Sequence, residues 1–384
     1  MSMNLEMLNA RKSEIFNERK KHSDGLWSYL QRTDKKIVMY GMGNGADKIL
    51  SICERYGIEV CDFFASDGFV RGHFFHGKRV LSYSEACEKY GREKMIVLLS
   101  FASSLPDVLE NIYRIAEECE LYAPDVPVCG ENLFNCEFYK KNEDKIRKTE
   151  LLLADRKSVE VFDNIINYKL SGSVWWLHGG HSDFSEVYRL LGAENFERIA
   201  DLGAYNGDTL REITPFAPNL KEAVALEPDR RNHKKLSEYA ETVEAFKITP
   251  LKLAAWSERA ILQFDGSGNR NSTLVTGGIT VNKPQKIMDV EADSIDNILG
   301  GERIDYIKYD VEGSEKEALL GSVKTIEAYR PALMVSLYHR SEDIFALPLM
   351  IHERFPDYRF FVRRREYIPA WDTVLIAVST ANEK

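Results

Sequence analysis

Three things are scarce or missing in these 384 residues: a long apolar run, a paired-cysteine motif and an excess of positive charge. No uninterrupted apolar stretch reaches the roughly 20 residues that a spanning helix needs. The first thirty residues are polar and helix-prone, without the apolar core of a secretory signal, so a cytoplasmic location is the expectation. The six cysteines (Cys53, Cys61, Cys87, Cys119, Cys129 and Cys136) form no C-x-x-C pair. Zinc-ligand spacing is therefore absent, no metal site is expected, and reduced thiols are the expected state. A formal net charge of −9 argues against a general nucleic-acid binder. The basic run Arg363-Arg364-Arg365 is short and reads as a solvated strand end.

What is present is a globular composition, 44% apolar and 29% charged, in a chain long enough for two cores. Four stretches are expected: a helical segment over 1–34, a small Rossmann-like α/β unit over 35–130, a helical connector over 131–195, and a second α/β domain over 196–384. In the first segment Leu5, Leu8, Ile15, Phe16, Leu26 and Leu30 supply the apolar positions. Strands are expected at 36–40, 57–64 and 95–100, with a helix over 82–90 capped by Ser84. The alternation restarts with strands at 196–201, 223–227, 246–255, 306–310 and 332–337. The last two, 358–362 and 373–378, have no helix-length spacer and are expected to pair as an antiparallel hairpin at the sheet edge. Parallel β-α-β units define the fold class as α/β.

The chemistry gathers at three strand ends. Asp201-Leu-Gly203-Ala204-Tyr205-Asn-Gly207-Asp208-Thr209 ends a strand in an acid, turns on glycines and opens a helix. Gly203 has no Cβ to hold a ligand off, and the helix start offers free N–H groups to an anion. Alone, this pattern serves a dinucleotide equally well. Glu227-Pro228-Asp229 follows the next strand, 26 residues after Asp201. An acid at that strand tip reaches the two ribose hydroxyls of an adenosine ligand, whereas Asp229 suits a helix cap. Asp310 and Glu312 emerge where the fourth strand meets its helix. Ligands of open parallel sheets bind at the carboxyl ends of the strands, so Asp201, Glu227 and Asp310 are expected along one edge.

Three segments in order, 201–209, Ala292-Asp-Ser-Ile-Asp-Asn-Ile-Leu299 and Lys308-Tyr-Asp-Val-Glu-Gly-Ser-Glu315, resemble the motifs of the FkbM family of methyltransferases. The resemblance covers roughly 196–379. It implies a class I, Rossmann-like methyltransferase fold, S-adenosyl-L-methionine as methyl donor, and methylation of a hydroxyl on a saccharide or natural-product-like small molecule. The implied cofactor contacts are Asp201, Gly203, Ala204, Tyr205, Gly207, Asp208, Thr209, Glu227, Pro228, Asp229, Ala254, Ala255, Asp310 and Glu312. Asp201 is expected to accept from the donor's ammonium group, directly or through water. Family members commonly end the fifth strand in an acid followed closely by histidine. Here the stretch is Ser336-Leu-Tyr338-His339, with the histidine and without the acid. His339 is the expected general base, with Asp310 as the other catalytic residue. His178 and His181, in a Trp- and Gly-rich stretch, read as a connecting loop or a lid, and the polar loop 266–273 as a cofactor or acceptor contact.

The N-terminal unit carries a relaxed dinucleotide pattern, Gly41-x-Gly43-x-Gly45-Ala46, with Asp67 about 20 residues on. A nucleotide or nucleotide-sugar site there, or a scaffold without one, are both open. The competing functions are a nucleotide-sugar-binding oxidoreductase and a non-catalytic ligand-binding protein. Neither a nucleic acid nor a membrane is expected as partner, and a homodimer is among the assemblies open to the chain.

Overall fold

The computed structural model describes residues 24–70, 72–265 and 287–382. Leu5, Leu8, Ile15, Phe16 and the loop 266–273 therefore lie outside the described residues. Chain order begins with α1 (Leu26–Arg32), β1 (Lys36–Tyr40), α2 (Asn44–Arg55) and β2 (Val60–Ala65). The short strands β3 (Phe74–Phe75), β4 (Lys78–Arg79) and β5 (Leu81–Ser82) come next, then α3 (Tyr83–Tyr90), β6 (Met95–Leu99), α4 (Pro106–Glu118) and β7 (Glu120–Tyr122). The first sheet has the order β5-β2-β1-β6-β7, all parallel. Its central strands β1 and β6 read as continuous apolar runs because helices cover both faces.

The cap of α3 is Ser82 rather than Ser84. Ser82 Oγ accepts the N–H of Glu85 at 3.0 Å while the Glu85 carboxylate accepts the N–H of Ser82 at 2.8 Å, a reciprocal capping box. Ser84 Oγ instead donates to Asp67 at 2.7 Å.

Two connector helices, α5 (Cys136–Leu151) and α6 (Arg156–Ser171), lead to α7 (Phe184–Leu191). Then come β8 (Arg198–Leu202), α8 (Asp208–Ile213), β9 (Glu222–Leu226), α9 (Arg230–Ala240) and β10 (Lys247–Leu251). A side sheet is built from β11 (Ala254–Ala255), β12 (Ala260–Asp265) and β13 (Ile287–Asp293), so the expected strand 246–255 is broken in two. The chain continues through α10 (Ile295–Leu299), β14 (Tyr306–Tyr309), α11 (Glu315–Leu320), α12 (Val323–Tyr329), β15 (Ala332–Ser336) and α13 (Asp343–Arg354). It closes with β16 (Tyr358–Arg364) and β17 (Thr373–Ser379).

The main sheet has the order β10-β9-β8-β14-β15-β17-β16. The expected hairpin is there, and its second strand lies between β15 and β16, antiparallel to both. One apolar cluster joins Val38 and Val97 of the first sheet, Phe162 and Ile165 of α6, and Leu202 and Val335 of the main sheet. The connector thus packs the two sheets together.

The arginine run is not a solvated strand end: Arg363 and Arg364 are each 3% exposed. The connector covers this strand and brings acids with it. Arg363 pairs with Asp155 at the start of α6 (2.5 Å) and with Glu186 of α7 (2.7 Å). Arg364 donates to the backbone carbonyls of Leu177 and Gly179. Among the described residues no helix is long and apolar enough to cross a membrane.

Candidate active site

A cavity of about 380 Å³ opens at the carboxyl ends of the main-sheet strands, within the usual range for small-molecule sites. Gly203, Tyr205, Asp208 and Thr209 of the glycine turn line it. So do Glu227, Pro228 and Asp229 after β9, and Ala254 and Ala255 of the side sheet. Asp310 and Glu312 after β14 complete the expected set on the wall. Ala204 and Gly207 stand behind it: Ala204 is fully buried, and a Cβ on Gly207 would meet the Tyr239 ring at 2.5 Å.

Glu227 is placed to do two jobs. Its Oε2 accepts the N–H of Tyr205 and its Oε1 the N–H of Asp229, both at 2.8 Å. The carboxylate thereby ties the glycine turn to the tip of β9 while keeping lone pairs toward the cavity. Burial pushes its carboxyl up to about 7, against the pull of those two N–H groups. Asp229, by contrast, caps α9 through the N–H groups of Arg231 and Asn232.

Asp201 departs from expectation. It is 1% exposed and is not on the cavity wall. It lies inside β8, in register with Lys308 on β14, so the two side chains share a face of the sheet. Lys308 Nζ stands 3.5 Å from Asp201 and 3.1 Å from Asp310. A lysine of the chain itself thus takes the place expected of the donor's ammonium group. Burial pushes Asp201 up to about 6, with Lys308 opposing. Lys308 had a readable signal, a lone cation inside an apolar strand two residues before Asp310.

Asp310 is the most heavily tied carboxylate of the rim. Its Oδ1 accepts from Ser336 Oγ at 2.7 Å and from Tyr338 OH at 3.1 Å. Burial alone would raise this carboxyl; Lys308, His339 and Ser336 outweigh it and hold it well below the carboxylate range. Ser336 occupies the strand end where the acid was missing, and bonds to an acid supplied by the neighbouring strand.

His339 is fully buried and absent from the cavity wall. Its Nδ1 is 2.9 Å from Glu315 and its Nε2 3.4 Å from Glu312, ion-pair contacts without hydrogen-bond alignment. Burial opposes its charge, yet Glu315 and Glu312 raise it to about 10. An enclosed imidazolium does not suit the general-base role expected of it, because it neither reaches an acceptor nor has a free lone pair.

Among the described residues five non-glycine residues adopt positive φ, and three of them, Tyr205 (φ 47), Glu312 (φ 52) and Asp372 (φ 56), line this cavity. Backbone strain of this kind concentrates at functional sites. Residues the sequence reading missed also stand on the wall: Tyr338, Tyr367, Trp371 and Asp372 from the C-terminal strands, and Ser104 and Val128 from the N-terminal unit.

The second glycine turn looks different. A Cβ on Gly45 would meet the Ser100 carbonyl oxygen at 2.1 Å, and one on Gly41 the Phe101 ring at 2.6 Å. Only at Gly43 is there open space. Asp67 accepts the N–H and Oγ–H of Ser84. Packing within the unit accounts for two of the glycines and for the acid. His178 lies edge-on to Tyr113 at 4.6 Å, away from the cavity wall.

The sheet order, with β17 reversed between β15 and β16, and a ligand-sized cavity on the carboxyl rim define a class I methyltransferase fold. Residues 201–369 match the model of the methyltransferase FkbM domain, so the chain carries a domain of that family. The structure is similar to that of methyltransferase FkbM from Methylobacillus flagellatus KT over 96% of this chain and 99% of that one, with TM-score 0.68 and 20% identity. It also overlaps precorrin-6y C5,15-methyltransferase from Geobacter metallireducens GS-15 over 51% of this chain and 86% of that one (TM-score 0.31, 10% identity). No curated protein matches the chain.

Proposed function

We propose that this protein transfers a methyl group from S-adenosyl-L-methionine to a hydroxyl of a saccharide or similar small molecule. The observation that carries this reading is Glu227, a carboxylate on the cavity wall at the tip of the second strand, with lone pairs left for a ribose diol. The surroundings fit the rest of the donor. Leu253, Ala254, Met288 and Val290 offer an apolar wall for an adenine. Gly203 lets the turn pass so close to β14 that a Cβ would lie 1.9 Å from the Asp310 carbonyl oxygen. The N-terminal unit, 35–130, is an accessory that walls the cavity, and the catalytic domain is 196–384.

The donor supplies an electrophilic methyl group on a sulfonium. The protein's own contribution is positional: it holds an acceptor oxygen in line, which is worth up to roughly 7–11 kcal/mol. Asp310 is the catalytic carboxylate. Lys308, Ser336 and Tyr338 keep it ionised and fix its direction. A weak base suffices when the proton leaves late, because an oxygen that has gained a methyl group while still protonated is a strong acid. His339 is a positioning residue, an imidazolium that balances Glu312 and Glu315 behind the wall.

Thermal denaturation with S-adenosylhomocysteine tests the reading. At 100-fold over the dissociation constant, binding stabilises by about 2.7 kcal/mol. A rise in melting temperature that Glu227→Ala abolishes is the expected result; no rise at millimolar ligand overturns it.

A further inference from the structure

The loop between β16 and β17 carries a carboxylate with nothing to do. Asp372 lines the cavity, and among the described residues its side chain has neither a hydrogen-bond nor an ion-pair partner. The other carboxylates of the wall are engaged: Asp310 by Ser336 and Tyr338, Glu227 by two backbone N–H groups, Glu212 by Tyr188 and Arg365. Asp372 is half-buried, and the nearby Arg365 charge opposes the effect of burial on it. Burial raises this carboxyl above its ordinary range. The residue is also held in the left-handed region at φ 56.

Its neighbour Trp371 belongs to a strip of rings. Tyr338 lies 6.3 Å from it with planes 29° apart, and Tyr367 lies 6.0 Å away at 35°. The strip starts at Asp310, which receives the Tyr338 hydroxyl, and runs outward along the loop. The N-terminal unit forms the facing lip through Ser104 and Val128, the carbonyl of Val128 being held by Lys48 Nζ at 2.7 Å. Ser103 and Ile368 fasten the two lips with reciprocal backbone bonds of 2.9 and 3.0 Å.

We infer that Trp371 and Asp372 form the acceptor subsite, and that it takes a polyhydroxylated ring of the pyranose type. The inference rests on the methyl-transfer reading for the direction in which the acceptor faces. A pyranose has an apolar C–H face, which suits an aromatic strip, and a rim of hydroxyls, which suits a carboxylate whose two oxygens accept when it is ionised. Ser104 adds a hydroxyl from across the cleft, so the site is complete only with the N-terminal unit in place.

Saturation-transfer NMR on the full chain tests this, with methyl α-D-glucopyranoside and methyl α-D-mannopyranoside as probes and S-adenosylhomocysteine present. Ring-proton signals are expected with the unaltered protein. Trp371→Ala and Asp372→Asn should each weaken pyranoside binding at least fivefold and change S-adenosylhomocysteine affinity less than twofold. Asparagine keeps the shape and tolerates a left-handed backbone, so Asp372→Asn is expected to fold. Absence of pyranoside signals, preference for a phenol or an aliphatic amine over both probes, or undiminished binding in the two variants overturns the subsite. Failure of S-adenosylhomocysteine to bind overturns the donor reading instead, and is separable because pyranoside binding is read by its own signals.

Discussion

Glu227 Oε2 accepts the backbone N–H of Tyr205 at 2.8 Å, joining the tip of β9 to the turn after β8. The same carboxylate is therefore part of the fold and part of the site. Glu227→Ala leaves two backbone N–H groups without their acceptor, at about 1–3 kcal/mol each if water does not replace it. Glu227→Gln keeps an acceptor oxygen and is expected to lose less stability while still losing donor affinity. Urea denaturation beside calorimetric titration with S-adenosylhomocysteine separates the two effects.

The pH dependence of donor binding follows from the same residue. Burial places its carboxyl at about 7, against about 4.3 in an unfolded chain. A raised carboxyl contributes stability below the unfolded value and loses it as pH rises through 7, so this residue makes the empty protein less stable at pH 8 than at pH 5. Ribose hydroxyls favour the ionised form, so binding releases a proton. Affinity for S-adenosylhomocysteine is expected to strengthen from pH 6 to 8 and then level off. Calorimetry in two buffers of different ionisation enthalpy measures the proton; a flat profile contradicts the assignment.

Lys308 holds Asp201 and Asp310 in one buried cluster. Lys308→Met removes the cation and leaves both carboxylates behind, which for buried pairs costs about 3–5 kcal/mol. The loss is expected to be largest near pH 8 and to shrink by pH 5, because Asp201, already at about 6, then takes up a proton. Urea midpoints at the two pH values check this.

Arg363 ties the connector to the sheet edge through Asp155 and Glu186. Arg363→Met is expected to destabilise by roughly 2 kcal/mol, less than a fully buried pair, because both acids keep some solvent access. Although burial works the other way, Arg363 and Ser158 bring Asp155 down to about 2. Its contribution is present above pH 4 and fades as pH falls toward 2, so acid titration should find the variant and the parent converging there.

Gly203→Ala is expected to be among the most damaging single methyl additions at the described glycines. Its Cβ would meet the Asp310 carbonyl oxygen at 1.9 Å, and its φ of 85 is one that L residues avoid. Loss of several kcal/mol, or of the folded state, is the expected outcome by circular dichroism. Gly43→Ala, with open space around the added carbon, is the milder comparison, and a larger loss there would contradict the packing account of the N-terminal turn.

Much of this was legible in the linear chain, because strands and their terminal turns are local. Apolar runs marked the strands, and glycines between a strand and a helix marked the turns. The spacing from Asp201 to Glu227 marked a strand-helix-strand unit, and strand direction led to the expectation of Asp201, Glu227 and Asp310 on one rim, where Glu227 and Asp310 line the cavity and Asp201 does not. The reversed hairpin was readable from the missing helix between residues 362 and 373. The role of Asp201 was not, since it depends on Lys308, more than a hundred residues away, sitting opposite it in register. His339 likewise reads as a free base until Glu312 and Glu315 are seen on either side of it. The arginine run looked solvated because nothing local shows that α6 and α7 bring Asp155 and Glu186 over it.

Sequence alone thus determined the α/β fold class, since it follows from short-range patterning and strand direction. Tertiary structure alone decided which carboxylates face the cavity and which are consumed by lysine, histidine or backbone, and that Ser104 and Val128 of the first unit wall the site of the second. Charge pairing and burial are set by residues distant in the chain, and an ionisable group acquires its role only when its neighbours are in place.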